Sequence, residues 1–390
     1  MPLPRLAQSP RDPAFVQNPY PFYERLHAAG GRVWWDEYAM PVFGRFADVN
    51  AVLRDRRFGR TPVAPAAPPP HLTAFYDYEA RSMLELEGPA HRRLRSLVTR
   101  AFVSRRIDLL RPRIETLSHE LLDRVEAGGE ADLLTAYCEP IPVIVIAELL
   151  GLPAGAAPDL LKWSHAMVAM YQFGGDRAVE DGAEAATRAF SAYIADEVAA
   201  RRARPREDLL TLLARPDEKG EALADPDIIT TAILILNAGH EATAHALGNG
   251  AKALLEAGVR PDGGEAAGEE ILRHDPPLHM FTRHVYEDMD FAGVPLERGQ
   301  VIGLSLGAAA RDPGRFERPA DFWPERPDAG HVSFGAGAHF CLGAPLARLE
   351  MQVALPILFD RLPKLRLIGT PRYADRYHFR GLEALQARWD

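Results

Sequence analysis

At 390 residues the chain could form two or three domains or one large enzyme fold. Its 47% hydrophobic and 25% charged residues support a sizeable core and exclude wholesale disorder. Forty-five basic against fifty-four acidic side chains leave a net charge of -9, which opposes non-specific nucleic-acid binding. Only Cys138 and Cys341 could carry sulfur chemistry, so a disulfide scaffold and a four-cysteine zinc site are both excluded. Met1–Pro10 lacks a charged-then-apolar targeting pattern, and the greasiest runs, Ile141–Ile146 and Ile228–Leu236, are too short to span a bilayer. The expectation is a cytoplasmic protein without membrane or nucleic-acid partners.

In chain order, Pro21–Ala28 reads as a short helix and Arg32–Phe43 as two short strands. Thr61–Pro70 holds five prolines in ten residues, which rules out regular structure and suggests a mobile piece of a site just before an arginine-rich helix. From Pro89 to Gly258 the pattern is helical, broken at Gly128-Gly129, Gly151, Gly174-Gly175 and Pro205. Leu133–Leu152 and Asp176–Arg202 are clear helices. The longest begins at Asp225-Pro226-Asp227, a cap residue with proline in the first turn, and runs toward Gly258. After Pro276 the period shifts: Phe291–Pro295 and Val301–Leu306 read as strands, and Ala344–Phe359 as a last helix. The reading is one domain over 1–390, mainly α with small β-sheets. The β-rich parts fall at about 30–60, 278–310 and 365–390, and the helical core at about 89–275 and 344–362.

Three motifs compete for the chemistry. Gly303-Leu-Ser305-Leu-Gly307 matches a hydrolase elbow, with Asp321 and His331 following in suitable order, but the preceding helices do not supply the alternating strand–helix sheet that elbow needs. His240-Glu241 with His245 resembles a helical zinc motif, yet a spacing of five turns the two histidines about 140° apart. Gly335-Ala-Gly337 lacks a third glycine for a dinucleotide loop. More informative is Phe334-Gly-Ala-Gly337-Ala-His339-Phe-Cys341-Leu-Gly343, which runs into the helix from Ala344. A cysteine just before a helix has backbone N–H groups and the positive dipole end beside it, which favours the thiolate that a metal ligand must be. The two glycines allow tight turns and close approach of a flat ring.

At these residues the sequence resembles the cytochrome P-450 superfamily of haem-thiolate monooxygenases, the match to F-x-x-G-x-H-x-C-x-G being complete. The resemblance implies a helix-rich triangular prism, with haem b between the long helix and the cysteine loop and its helix, and Cys341 as the axial iron ligand. It implies that Glu270, Arg273 and Arg326 form a buried structural triad, where a shared Glu fixes two segments. It also implies that His91, Arg95, Arg283 and His339 hold the haem propionates, since buried anions need cationic or N–H partners. Ala238-Gly239-His240-Glu241-Ala242-Thr243 lies where the family shows A-G-x-[DE]-T. Ala238 and Gly239 would let the backbone approach the iron, and Glu241 would relay protons for O–O cleavage.

The sequence departs from that pattern at Ala242, which replaces the usual threonine, and at His245, which replaces the usual asparagine. Thr243 sits about 100° round the helix and is a poor substitute. A substrate hydroxyl, or a water held by substrate, is expected to fill the gap. A second departure is a trimmed loop over Leu255–Glu269. The resemblance further implies O2 as co-substrate, and NAD(P)H electrons arriving through a flavin reductase and a 2Fe-2S-type ferredoxin. Eight arginines lie between Arg92 and Arg113, and Arg92 with Arg348 are the expected docking contacts for that acidic donor. Pocket walls are expected from Phe75, Met83, Leu84, Met170, Phe173, Leu234, His279, Met280 and Phe281, with His279 as the one polar hook in a site for a hydrophobic substrate. A monomer is expected. The alternatives are a peroxide-driven haem enzyme, a haem sensor and a serine hydrolase on Ser305.

Overall fold

The computed structural model describes residues 3–99, 102, 107–216, 220 and 222–390. Its centre is a 33-residue helix, Asp225–Ala257, with acidic side chains and Pro226 in the first turn. Gly258 closes it in the left-handed region at φ +66, where a side chain would be strained. Ile228, Ala232, Leu236, Leu247 and Leu254 are almost completely buried on its several faces. A helix apolar all round is stable only at the middle of a bundle. Around it pack the helices Pro140–Leu150, Ala157–Val168, Arg177–Ala203 and Ala344–Arg361.

Capping chemistry sets several of these ends. Asp176 is extended and accepts from Val179 N, starting the 27-residue helix where the sequence places its start. Pro140 divides the segment expected as a single helix over 133–152 into a π-helical turn, Leu134–Cys138, and the helix Pro140–Leu150. A helix that the sequence reading lacks, Thr73–Arg81, stands between the proline-rich loop and the arginine-rich helix Gly88–Thr99. Its start is capped from a distance: the Glu184 carboxylate accepts from Ala74 N and Phe75 N at 3.1 and 3.0 Å. Between Ala257 and Glu265, where the trimmed loop was expected, no helix forms.

The strands are β1 Arg5–Leu6, β2 Arg32–Trp35, β3 Met40–Phe43, β4 Phe58–Gly59, β5 Glu130–Asp132, β6 Met280–Val285, β7 Met289–Phe291, β8 Val294–Leu296, β9 Val301–Ser305, β10 Arg366–Leu367 and β11 Gln386–Arg388. Six of them form a mixed sheet in the order β1-β2-β3-β9-β6-β4, and the others make the sheet β10-β11-β5 and the hairpin β7-β8. In the large sheet β6 runs antiparallel to β9 with Arg283 opposite Ile302, and β3 runs parallel to β9. This fixes β6, and with it Arg283, beside the loop that carries the cysteine: Phe281 packs against Gly335. No helix among the described residues is long and apolar enough to cross a membrane.

Candidate active site

The cysteine loop is a tight structure that its glycines make possible. Cys341 N donates to Phe334 O at 2.8 Å. Gly337 is left-handed at φ +69, and a Cβ there would collide with the Leu53 carbonyl. Cys341 is half-buried, and that burial pushes its thiol above the ordinary value. The backbone N–H groups of Gly343 and Ala344, with the Arg95 and Arg348 guanidiniums, pull it back down without fully offsetting the burial. The sequence reading counted these donors but not the desolvation. A thiol so placed becomes a thiolate when it takes a metal.

Beside the loop lies a cluster of basic side chains. The His91 and His339 rings stand 4.3 Å apart. His91 is 2% exposed, and its Nε2 has no hydrogen-bond partner among the described residues. Burial and the neighbouring His339 and Arg95 hold it down at about 4. Arg283 is 5% exposed, its guanidinium donates among the described residues only to the Thr282 carbonyl, and burial beside Arg60 lowers it to about 10. Arg95 donates to Phe340 O at 2.5 Å. Against these cations stand Glu87, which accepts from His339 Nε2 at 2.9 Å, and Glu85, paired with Arg60. A buried guanidinium with a single hydrogen bond among the described residues, and an imidazole whose Nε2 is orphaned there, fit the two carboxylates of a haem. Arg60, Glu85 and Glu87 were missed by the sequence reading because no motif contains them.

On the buried long helix, Ala238 is exposed and Ala242, one turn on, is half-buried. These small residues mark the stretch of the helix that faces open space. Half-buried Gly239 also serves close packing: a Cβ on it would collide with Ile146 Cδ1 of the helix Pro140–Leu150. Glu241 is 3% exposed, and its Oε1 accepts from Arg376 Nη1 at 2.8 Å and lies 3.7 Å from His245 Nε2. Burial raises this carboxyl, but His245, His240 and Arg376 together hold it below its ordinary value. Thr243 is tied to its own helix, donating to Gly239 O at 3.1 Å. Arg376 was not foreseen, being 135 residues away in a tail with no pattern of its own.

Glu270, Arg273 and Arg326 meet in one buried network. Arg273 forms a fork on Glu270 with both bonds at 2.7 Å, and Arg326 Nε reaches the same carboxylate at 3.2 Å. Trp323 N and the carbonyls of Ala310, Pro319 and Asp321 complete it. Other expected positions are corrected. His279 is fully buried, its Nδ1 2.6 Å from the Tyr23 hydroxyl, and burial lowers it to about 3, so it is a core histidine rather than a substrate hook. Met280 lies in the same N-terminal core, beside Tyr23 and Met40. Leu84 and Phe173 are exposed. Phe75, Met83 and Leu234 are buried, and Met170 and Phe281 are half-buried.

Arg348 forks onto Glu269 at 2.6 and 2.9 Å and covers the Phe334 ring, so its charge is spent inside the protein. Arg92 stays exposed, while Arg100, Arg105 and Arg106 of the basic patch lie outside the described residues. Ser305 is no nucleophile: it is fully buried and its Oγ accepts from Ala308 N as a helix cap. Asp321 pairs with Arg318 and His331 lies beside Glu269, which leaves no triad. Cys138 is fully buried, with its thiol pushed well up.

A cysteine loop, a cluster of buried basic side chains and a small-residue face on a central helix stand together in this fold. The family model for cytochrome P450 matches residues 265–362. The chain is 36% identical to cytochrome P450 107B1 of Saccharopolyspora erythraea, over 97% of this chain and 96% of that protein. It is 37% identical to the cytochrome P450 monooxygenase PikC of Streptomyces venezuelae, over 96% and 92%. The solved structure of P450BioI in complex with hexadec-9Z-enoic acid ligated acyl carrier protein superposes with a TM-score of 0.92 at 31% identity, covering 97% of this chain and all of that one. The chain belongs to the cytochrome P450 family and is a monooxygenase whose chemistry rests on haem iron and O2.

Proposed function

We propose that the chain holds haem b through Cys341, with the propionates taken by His91, Arg95, Arg283 and His339. The observation that carries this reading is the buried Arg283 guanidinium and unpartnered His91 Nε2 beside the cysteine loop. Bound there, haem supplies the two-electron activation of O2 that inserts one oxygen atom into an organic substrate. The protein's part is to position, exclude water and manage protons. Phe75, Met83, Leu234, Met170 and Phe281 exclude water and favour a mainly apolar substrate. A relative is named for biotin biosynthesis and another for polyketide biosynthesis, so an acyl or polyketide-type chain is the substrate class we assign. The protein works as a monomer, and electrons come from NAD(P)H through a flavin reductase and a 2Fe-2S ferredoxin that docks at exposed Arg92.

Glu241 is the proton-holding group. Ala242 cannot pass a proton on, so a substrate hydroxyl or a substrate-held water completes the path. The experiment is to measure peroxide released per substrate consumed with ferredoxin-driven enzyme. Hydroxyl-bearing substrates are expected to be consumed with little peroxide release. Tight coupling with a substrate that lacks both hydroxyl and carboxylate would overturn this proton route.

A further inference from the structure

Arg376 links the active-site acid to the protein surface. Its side chain is 43% exposed while that of its partner Glu241 is 3% exposed. The exposed part lines a groove of about 450 Å³ between the turn that joins the helices Ala157–Val168 and Arg177–Ala203 and the C-terminal loop. That volume is within the range of small-molecule sites. Glu241 is the guanidinium's one side-chain hydrogen-bond partner among the described residues.

The groove has a second unused donor. Gln172 Nε2 is buried and has no hydrogen-bond partner among the described residues. The other polar groups that line it are largely committed. Arg11 donates to the Phe173 and Gly174 carbonyls, and Asp176 caps its helix through Val179 N at 3.0 Å. His378 is held between Tyr171 O at 3.0 Å and the Tyr38 hydroxyl at 2.9 Å, and burial keeps His165 below its ordinary value. Asp375 is the opposing carboxylate on this rim that has no hydrogen-bond or ion-pair partner described above. A half-exposed guanidinium and an orphaned amide N–H across one groove call for an anionic acceptor.

Resting on the monooxygenase reading, we infer that this groove is a carboxylate subsite, in which the free acid end of a substrate takes Arg376 and Gln172 and thereby releases Glu241. Arg376 serves Glu241 through Nη1 alone, so a substrate carboxylate that draws the guanidinium outward toward Gln172 competes with Glu241 for it, and each then weakens the other's hold by the same factor. Once released, Glu241 faces His240 and His245 from its own helix, His165 from the neighbouring helix and Glu139 from the start of the helix Pro140–Leu150. Burial raises this carboxyl while His245 and His240 still lower it, so losing Arg376 moves it toward the protonated form, which can hold the proton that Ala242 cannot relay. Substrate occupancy would so be coupled to proton supply.

The test uses the haem-loaded protein, with dodecanoate and dodecanamide as probes and the shift of the Soret band as readout. Wild type is expected to bind the acid at least about tenfold more tightly than the amide. Arg376→Gln is expected to erase that preference while leaving the amide affinity intact, which also reports that the variant is folded. Glu241→Gln frees the guanidinium and is expected to tighten acid binding several-fold with no change for the amide. If Arg376→Gln does not take up haem, Arg376→Lys carries the test by keeping part of the preference. Equal binding of acid and amide by wild type, no binding of either, a preference that survives Arg376→Gln, or no gain in Glu241→Gln would each overturn the inference. A protein whose haem lacks thiolate ligation would instead sink the functional reading on which it rests.

Discussion

At the scale of single residues, the site is set by groups whose charge or volume has no outlet in the protein alone. Arg283 is the clearest case, since a buried guanidinium with one hydrogen-bond partner among the described residues is costly unless an anion arrives. Arg283→Ala removes a charge-assisted bond of about 1.5–3 kcal/mol, so haem should leave about 10- to 100-fold faster. Haem transfer to an excess of apomyoglobin measures this, and an unchanged rate would remove Arg283 from the propionate set. Gly239 makes the opposite point. Its missing Cβ makes room for Ile146, so Gly239→Ala should cost about 1–3 kcal/mol by overpacking, and Ile146→Val in the same chain should recover part of it. Thermal melts of the two single variants and the double variant decide this. The motif A-G-x-E was legible in the sequence, but which neighbour each small residue faces was not, because that depends on the packing of a helix about ninety residues earlier in the chain.

At the scale of elements, strong local signals carried well and remote ones did not. Asp176 as a cap, Asp225-Pro226 as a start and Gly258 as a stop are local chemistry, and the helices they bound lie where the sequence puts them. Thr73–Arg81 escaped notice because its cap is Glu184, on another helix. Arg348 escaped for the same reason: from sequence it is an exposed cation, and only the fold brings Glu269 to it. That pair staples the helix Glu265–His274 to the helix that follows the cysteine loop. Burial raises Glu269, but Arg348 and His331 together bring it from 4.5 down to about 2. With the folded value below the unfolded one, the staple stabilises fully above about pH 4.5 and its contribution fades as pH falls toward 2. Melting temperature followed from neutral to acid pH should therefore drop more in wild type than in Glu269→Gln. Parallel curves would mean that the pair adds nothing to stability.

At the scale of the whole molecule, the fold brings three distant stretches of chain to one place. The helix Gly88–Thr99 brings His91 and Arg95, β6 brings Arg283, and the late loop brings His339 and Cys341. The family was legible because the motif around Cys341 is long and specific. The substrate walls were not, since an apolar residue reads alike whether it lines a cleft or fills a core, as Met280 shows. The Glu270 network locks the same region from behind, and replacing Glu270 by Gln should cost about 3–5 kcal/mol by leaving two buried guanidiniums uncompensated, as read from denaturant unfolding. The central claim is that the Cys341 sulfur ligates the iron. The carbon monoxide difference spectrum of the reduced, haem-loaded protein tests it most directly. A thiolate-type band in wild type and in Cys138→Ser, lost in Cys341→Ser, is the result expected. A thiolate-type band that persists in Cys341→Ser, or a histidine-type band in wild type, would contradict it.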